Sequence, residues 1–104
     1  MKVAFFSSKS YDQEYFNKIN QDYGHQLDYF ETRLNNQTIQ LAKGYDAVCA
    51  FVNDKVNAET LRVMQEQGIK LLTLRCAGFN NVDLEAAEKY GVTVLRVPAY
   101  SPEA

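Results

Sequence analysis

What this chain has little of narrows it first. Cys49 and Cys76 are its two cysteines, too few for a disulfide scaffold, and no CxxC or Cys/His spacing suggests a metal. Both read as reduced, buried thiols of a cytoplasmic protein. The five glycines never fall in the spaced triplet that a dinucleotide pyrophosphate needs. Eleven basic residues stand against thirteen acidic ones, for a formal net charge of −2, and no Lys/Arg cluster stands out. A nucleic-acid surface therefore has no footing. No apolar run approaches the ~20 residues of a membrane span. The stretch Met1–Phe6 is too short for a signal-peptide core and reads as a strand. What the chain does have is a core: 46% of its 104 residues are hydrophobic, with six Phe and seven Tyr. A chain of this length buries roughly 65% of its unfolded surface, enough for one core.

The hydrophobic period alternates between strand and helix from end to end. Val3 to Phe6 is a short apolar run. Ser10 offers an N-cap, with Gln13 completing a capping box. Tyr11, Tyr15, Ile19 and Tyr23 recur every fourth residue, with Phe16 beside them, which predicts an amphipathic helix over 11–23 ended by Gly24. Residues 26–30 form a second strand. Asn35 or Asn36 caps a short helix carrying Ile39, Leu41 and Ala42, stopped by Gly44. Ala47 to Val52 is the most continuous apolar run and the expected central strand. Asn57 caps a helix over 58–67 that buries Ala58, Leu61 and either Met64 or Val63, and Gly68 stops it. Strand four covers 70–74. After a loop, Asn81 or Asp83 caps a helix over about 83–90, Gly91 ends it, and 93–97 is strand five.

Five strands separated by helices require parallel pairing through crossovers. The expectation is an α/β, flavodoxin-like, doubly wound five-stranded parallel sheet of order 2-1-3-4-5 with helices on both faces. Ligands of such sheets gather beyond the carboxyl ends of the strands. The segments that matter are then 6–10, 51–57, 75–81 and 98–104. Ser101-Pro102-Glu103-Ala104 is a helix start, with N-cap, Pro at N1 and an acid in the first turn, and nothing behind it. Residues 1–104 therefore read as one domain cut from a longer protein.

Three chemistries can be tested on the residues. His25, the single histidine, precedes strand two at the amino end of the sheet, the wrong end for a catalytic base, and reads as a solvated turn residue. Ser7, Ser8 and Ser10 after strand one could serve a mononucleotide phosphate, though a turn with an N-cap explains them as well. A response-regulator site needs an acidic pair after strand one, where Ser7-Ser8 stand instead, so no Mg²⁺ site forms. More informative is Ala77-Gly78-Phe79-Asn80-Asn81-Val82-Asp83. A glycine at the carboxyl end of strand four lets backbone amides approach an anion.

The segment Leu74-Arg75-Cys76-Ala77-Gly78-Phe79-Asn80-Asn81-Val82-Asp83, followed by Val97-Pro98-Ala99-Tyr100-Ser101-Pro102-Glu103-Ala104, closely resembles the D-isomer-specific 2-hydroxyacid dehydrogenase family. The likeness is to its fermentative lactate branch more than to its phosphoglycerate, formate or glyoxylate members. Lys2 to Phe6, Tyr11-Asp12 and Asp46 to Asp54 fit as well. The resemblance implies the substrate-binding domain of an NAD-dependent enzyme that interconverts pyruvate and D-lactate. It also implies that the Rossmann domain, the glycine loop, the Arg and the Glu–His pair lie outside these residues. No catalytic, cofactor-binding or metal residue is then expected in this chain, and by itself it should bind no NAD and turn over nothing. By family match, the amides of Ala77 and Gly78 hold the substrate carboxylate, the Tyr100 hydroxyl reaches the cleft, and Phe51 lies near the methyl end. Ala77 stands where some relatives carry Val. The implied partners are a small 2-keto or 2-hydroxy acid and the absent Rossmann domain, and the uncovered domain is expected to self-associate. A stand-alone flavodoxin-like binding or signalling module is the alternative.

Overall fold

The computed structural model describes residues 1–51, 54–75 and 81–96. In chain order the elements are β1 (Lys2–Phe5), α1 (Ser10–Asn20), β2 (Gln26–Tyr29), a 3₁₀ helix (Thr38–Ala42), β3 (Ala47–Ala50), α2 (Ala58–Glu66), β4 (Leu71–Leu74), α3 (Leu84–Lys89) and β5 (Thr93–Arg96). The sheet is parallel throughout, in the order β2-β1-β3-β4-β5. This is the expected doubly wound topology, with the fully buried apolar strand β3 at its centre.

Strand alternation divides the core into two faces. Ala4, Phe6, Val48, Ala50, Leu72 and Leu74 belong to one cluster with Ile39 and Ala42 of the 3₁₀ helix, Leu61, Val63 and Met64 of α2, and Ala86 and Ala87 of α3. On the other face Phe5 meets Phe16 of α1 at 4.8 Å between ring centroids. Helices thus cover both faces, but unequally. Leu95 of β5 is left exposed.

Capping chemistry sets most helix ends. Asn57 Oδ1 accepts from the Thr60 N–H at 3.0 Å and starts α2, while Asp83, rather than Asn81, caps α3 through the Ala86 N–H. Gly68 closes α2 at φ 77. Its N–H reaches Gln65 O, and the Ile69 N–H reaches Met64 O, the paired bonds of a Schellman stop. Neither Asn35 nor Asn36 is the N-cap of the 3₁₀ helix: Gln37 is, and Asn35 Oδ1, two residues earlier, accepts from the N–H groups of Gln37 and Thr38.

Expectations for three helices are corrected. The first helix begins one position early and ends at Asn20. Lys9 is its N-cap, because the Asp12 carboxylate, not Gln13, reaches back to the Lys9 N–H at 2.8 Å. The stripe at 11, 15, 19 and 23 is not a buried face: Ile19 is 42% and Tyr23 68% exposed, and Phe16 makes the sheet contact. In the 3₁₀ helix Ile39 and Ala42, three apart, are buried while Leu41 is exposed, as its threefold winding requires. Ala58, at the first turn of α2, is exposed, and Val63 and Met64 are both buried.

Candidate functional site

Polar groups are buried almost wholly at the carboxyl ends of the strands. Asp54, a few residues beyond β3, is 1% exposed. Its Oδ1 accepts from the Ser7 hydroxyl at 2.5 Å and the Leu34 N–H at 2.8 Å. Its Oδ2 accepts from the Phe51 N–H at 2.7 Å. One carboxylate therefore joins the exits of β1, β2 and β3. Ser7 adopts φ 53 to present its hydroxyl, a left-handed conformation uncommon outside glycine. Asn81 secures the same corner by donating from Nδ2 to the carbonyls of Phe51 at 3.0 Å and Asp54 at 3.1 Å.

Arg75, the residue after β4, supplies a second hub. It is 1% exposed. Its N–H donates to Ala50 O at 2.9 Å. Nη1 lies 2.9 Å from Asp12 Oδ2, and Nη2 donates to Phe6 O. The guanidinium carbon sits 5.3 Å from the Phe51 ring centroid and 5.9 Å from that of Phe5, within cation–π range. Phe51 is thus held from below by Arg75 and along its backbone by Asp54 and Asn81. Its half-buried ring borders a depression of about 100 Å³ lined also by Ser7, Ser8, Lys9, Glu31 and Arg33.

Of the expected substrate residues, Phe51 stands on this rim, as the topology requires. Ala77, Gly78 and Tyr100 lie outside the described residues. His25 is exposed beside the amino end of β2, stacked on Tyr23 and bonded to Asn20, as a solvated turn histidine should be. The phosphate reading of the serines loses its main donor, since the Ser7 hydroxyl is committed to Asp54. Cys49 is buried and free, and burial pushes its thiol up to about 11. Cys76 lies outside the described residues. Among the described residues no group of three or more His, Cys, Asp or Glu could hold a metal ion, and no helix is long and apolar enough to cross a membrane.

The hubs Asp12, Asp54 and Arg75 were not singled out by spacing. The available signal was a charge set against an apolar run: Arg75 directly after Leu71–Leu74, and Asp54 soon after β3. Such a charge must be exposed or paired, but the partners are far away in the chain.

A doubly wound parallel sheet with its buried polar groups gathered at the carboxyl-end rim defines an α/β domain of the class whose ligands gather beyond the strand ends. Residues 3–104 match the model of the D-isomer specific 2-hydroxyacid dehydrogenase catalytic domain. The chain belongs to that family. It is 57% identical over 104 residues to 2-hydroxyacid dehydrogenase homolog 1 of Schizosaccharomyces pombe, covering 100% of this chain and 31% of that protein. The apo-structure of D-lactate dehydrogenase from Escherichia coli superposes with a TM-score of 0.93 at 47% identity, over 99% of this chain and 33% of that one. The NAD-complexed D-isomer specific 2-hydroxyacid dehydrogenase of Lactobacillus delbrueckii ssp. bulgaricus superposes at 0.86 and 25% identity, over 98% and 31%. The chain spans about a third of the length of the relatives it matches. Nothing in these relatives supports the stand-alone module.

Proposed function

We propose that these residues form the substrate-binding part of an NAD-dependent D-lactate dehydrogenase that reduces pyruvate to D-lactate. The observation that carries the reading is the rim itself: Phe51, fixed by two buried charged hubs at the carboxyl ends of the strands, in a chain of this family. Pyruvate offers a carboxylate and a methyl group. The amides of Ala77 and Gly78 receive the carboxylate, the Tyr100 hydroxyl donates into the cleft, and the Phe51 ring walls the methyl end. Phe51 is suited to that task because its backbone N–H and C=O are both engaged and the Arg75 guanidinium lies over its ring, which favours preorganisation over ordering on binding.

The turn between β1 and α1 does not fit a dinucleotide phosphate. At the turn between β1 and α1, where a dinucleotide phosphate would need free donors, the Ser7 hydroxyl bonds to Asp54 and the Lys9 N–H to Asp12. The cofactor, suggested by the NAD-complexed relative, belongs to other parts of the intact enzyme. So do the proton donor and the arginine that polarises the carbonyl. The role of this chain is to bind and orient the keto acid.

The intact enzyme should oxidise NADH with pyruvate and release D-lactate. Gly78→Val, which blocks backbone approach to a carboxylate, should raise KM for pyruvate while leaving KM for NADH unchanged. Tyr100→Phe should cost only the ~0.5–1.5 kcal/mol of one hydrogen bond. The 104 residues alone should show no heat of binding with millimolar NADH and no pyruvate-dependent oxidation. Absence of turnover with any 2-keto acid in the intact enzyme, or equal effects of Gly78→Val on both KM values, would count against the assignment.

A further inference from the structure

We propose that Arg75 is a positioning residue for the substrate, holding the Phe51 ring in the arrangement that receives a 2-keto acid. The inference rests on the reading that Phe51 contacts that acid. Its ground is that one residue joins the exits of β1, β3 and β4 to the first turn of α1. The Arg75 N–H extends the β3–β4 ladder onto Ala50 O. The guanidinium then reaches across the sheet to the exit of β1 at Phe6 O and to the first turn of α1 at Asp12. Its face lies against the ring of Phe51.

Stability does not explain this choice of residues. The Arg75 and Asp12 side chains are 0% and 3% exposed, so both charges have given up their hydration. A well-packed apolar pair of similar volume holds a fold as well or better. Nε and Nη1 of Arg75 also lack a hydrogen-bond partner among the described residues, Nη1 meeting Asp12 only as an ion pair, a cost that a filler would not carry. What the guanidinium adds is position. Nη2 is bonded to Phe6 O and Nη1 is drawn to Asp12, which sets the guanidinium over the Phe51 ring. A displacement of about 1 Å at such a site can cost on the order of a hundredfold in rate.

The test removes both charges together, so that neither is stranded. In the intact enzyme, Asp12→Leu with Arg75→Met should lower the melting temperature only modestly, because the Lys9 N–H and Phe6 O lose their partners, and should leave KM for NADH unchanged. KM for pyruvate should rise about tenfold or more. Arg75→Lys, which keeps the charge but neither fork nor plane, should fall between the two. An unchanged KM for pyruvate in the folded double variant would overturn the proposal, as would a parallel rise in both KM values. If the double variant does not fold, Arg75→Lys decides alone: wild-type KM for pyruvate rejects the role, and a selective rise supports it. A wild-type enzyme inactive on every 2-keto acid would instead reject the functional reading, and this inference with it.

Discussion

The two rims of the sheet handle polar groups in opposite ways. At the carboxyl ends, Ser8, Asp12, Asp54 and Arg75 are all buried, and they make up most of the buried polar residues among those described. At the amino ends the polar contacts lie at or near the surface: the Lys2 N–H donates to Asp46 and the N-terminal amine meets His25 in the open, while the Tyr45 hydroxyl donates to a half-buried Asp28. A buried polar network is favourable only when nearly every member is satisfied, and it then specifies one arrangement of the groups it joins. The fold accepts that demand only on the rim where Phe51 stands. Catalytic or binding geometry needs fixed side chains, whereas the amino rim needs only strand starts that water can solvate.

The largest expected effect is at Asp54. Asp54→Ala strands the N–H groups of Leu34 and Phe51 and the hydroxyl of Ser7, and should cost about 3–5 kcal/mol in urea unfolding, since each buried unsatisfied donor costs ~1–3. A loss under about 1 kcal/mol would erase the difference between the rims. Next comes alkaline pH. Folding raises the Cys49 thiol to about 11, chiefly by burial. Below the unfolded thiol's pKa this group does not discriminate against folding. Above about pH 8.5 the unfolded chain gains by ionising, so stability should fall progressively from there toward pH 11. Cys49→Ala should flatten that fall, which denaturation at a series of pH values would show. Native Cys49 should also resist alkylation at neutral pH.

The amino rim should respond weakly. Asp46→Asn removes the carboxylate facing the Lys2 N–H and should change stability by less than about 1 kcal/mol; a larger loss would mean that this rim is built like the other. The smallest effect is on titration. Hydrogen bonding from Tyr45 holds Asp28 below its ordinary range, helped by Gln26 and opposed by burial. The stability this gives is present at neutral pH and is lost as pH falls through the lowered pKa. Because Asp28 is solvent-facing, the contribution is small. Tyr45→Phe should move the Asp28 titration upward, read by NMR, with little change in unfolding. The chain taken alone should also self-associate, since Leu95 and Ile19 are exposed. Light scattering over a concentration series would show it, and a strictly monomeric chain would favour a self-contained module.

The amino-acid sequence by itself determined what depends on neighbours along the chain. The segments expected at 3–6, 47–52 and 70–74 contain the strands Lys2–Phe5, Ala47–Ala50 and Leu71–Leu74 to within a residue or two, Asn57 became a cap, and Gly68 and Gly91 became stops, because caps and turns are satisfied within about five residues. The strand order followed from parallel crossovers at this size, and the motif after Arg75 marked the family. Tertiary structure alone decided the partners of the buried charges. Arg75 meets Phe6 across 69 positions and Ser7 meets Asp54 across 47, separations that no local pattern encodes. It also explains why Lys9 rather than Ser10 caps α1, since the Asp12 that reaches back to Lys9 is itself held by Arg75. A charge next to an apolar run announces that it needs a partner. Which partner it finds depends on how the strand exits are brought together, and that is settled only when the sheet closes.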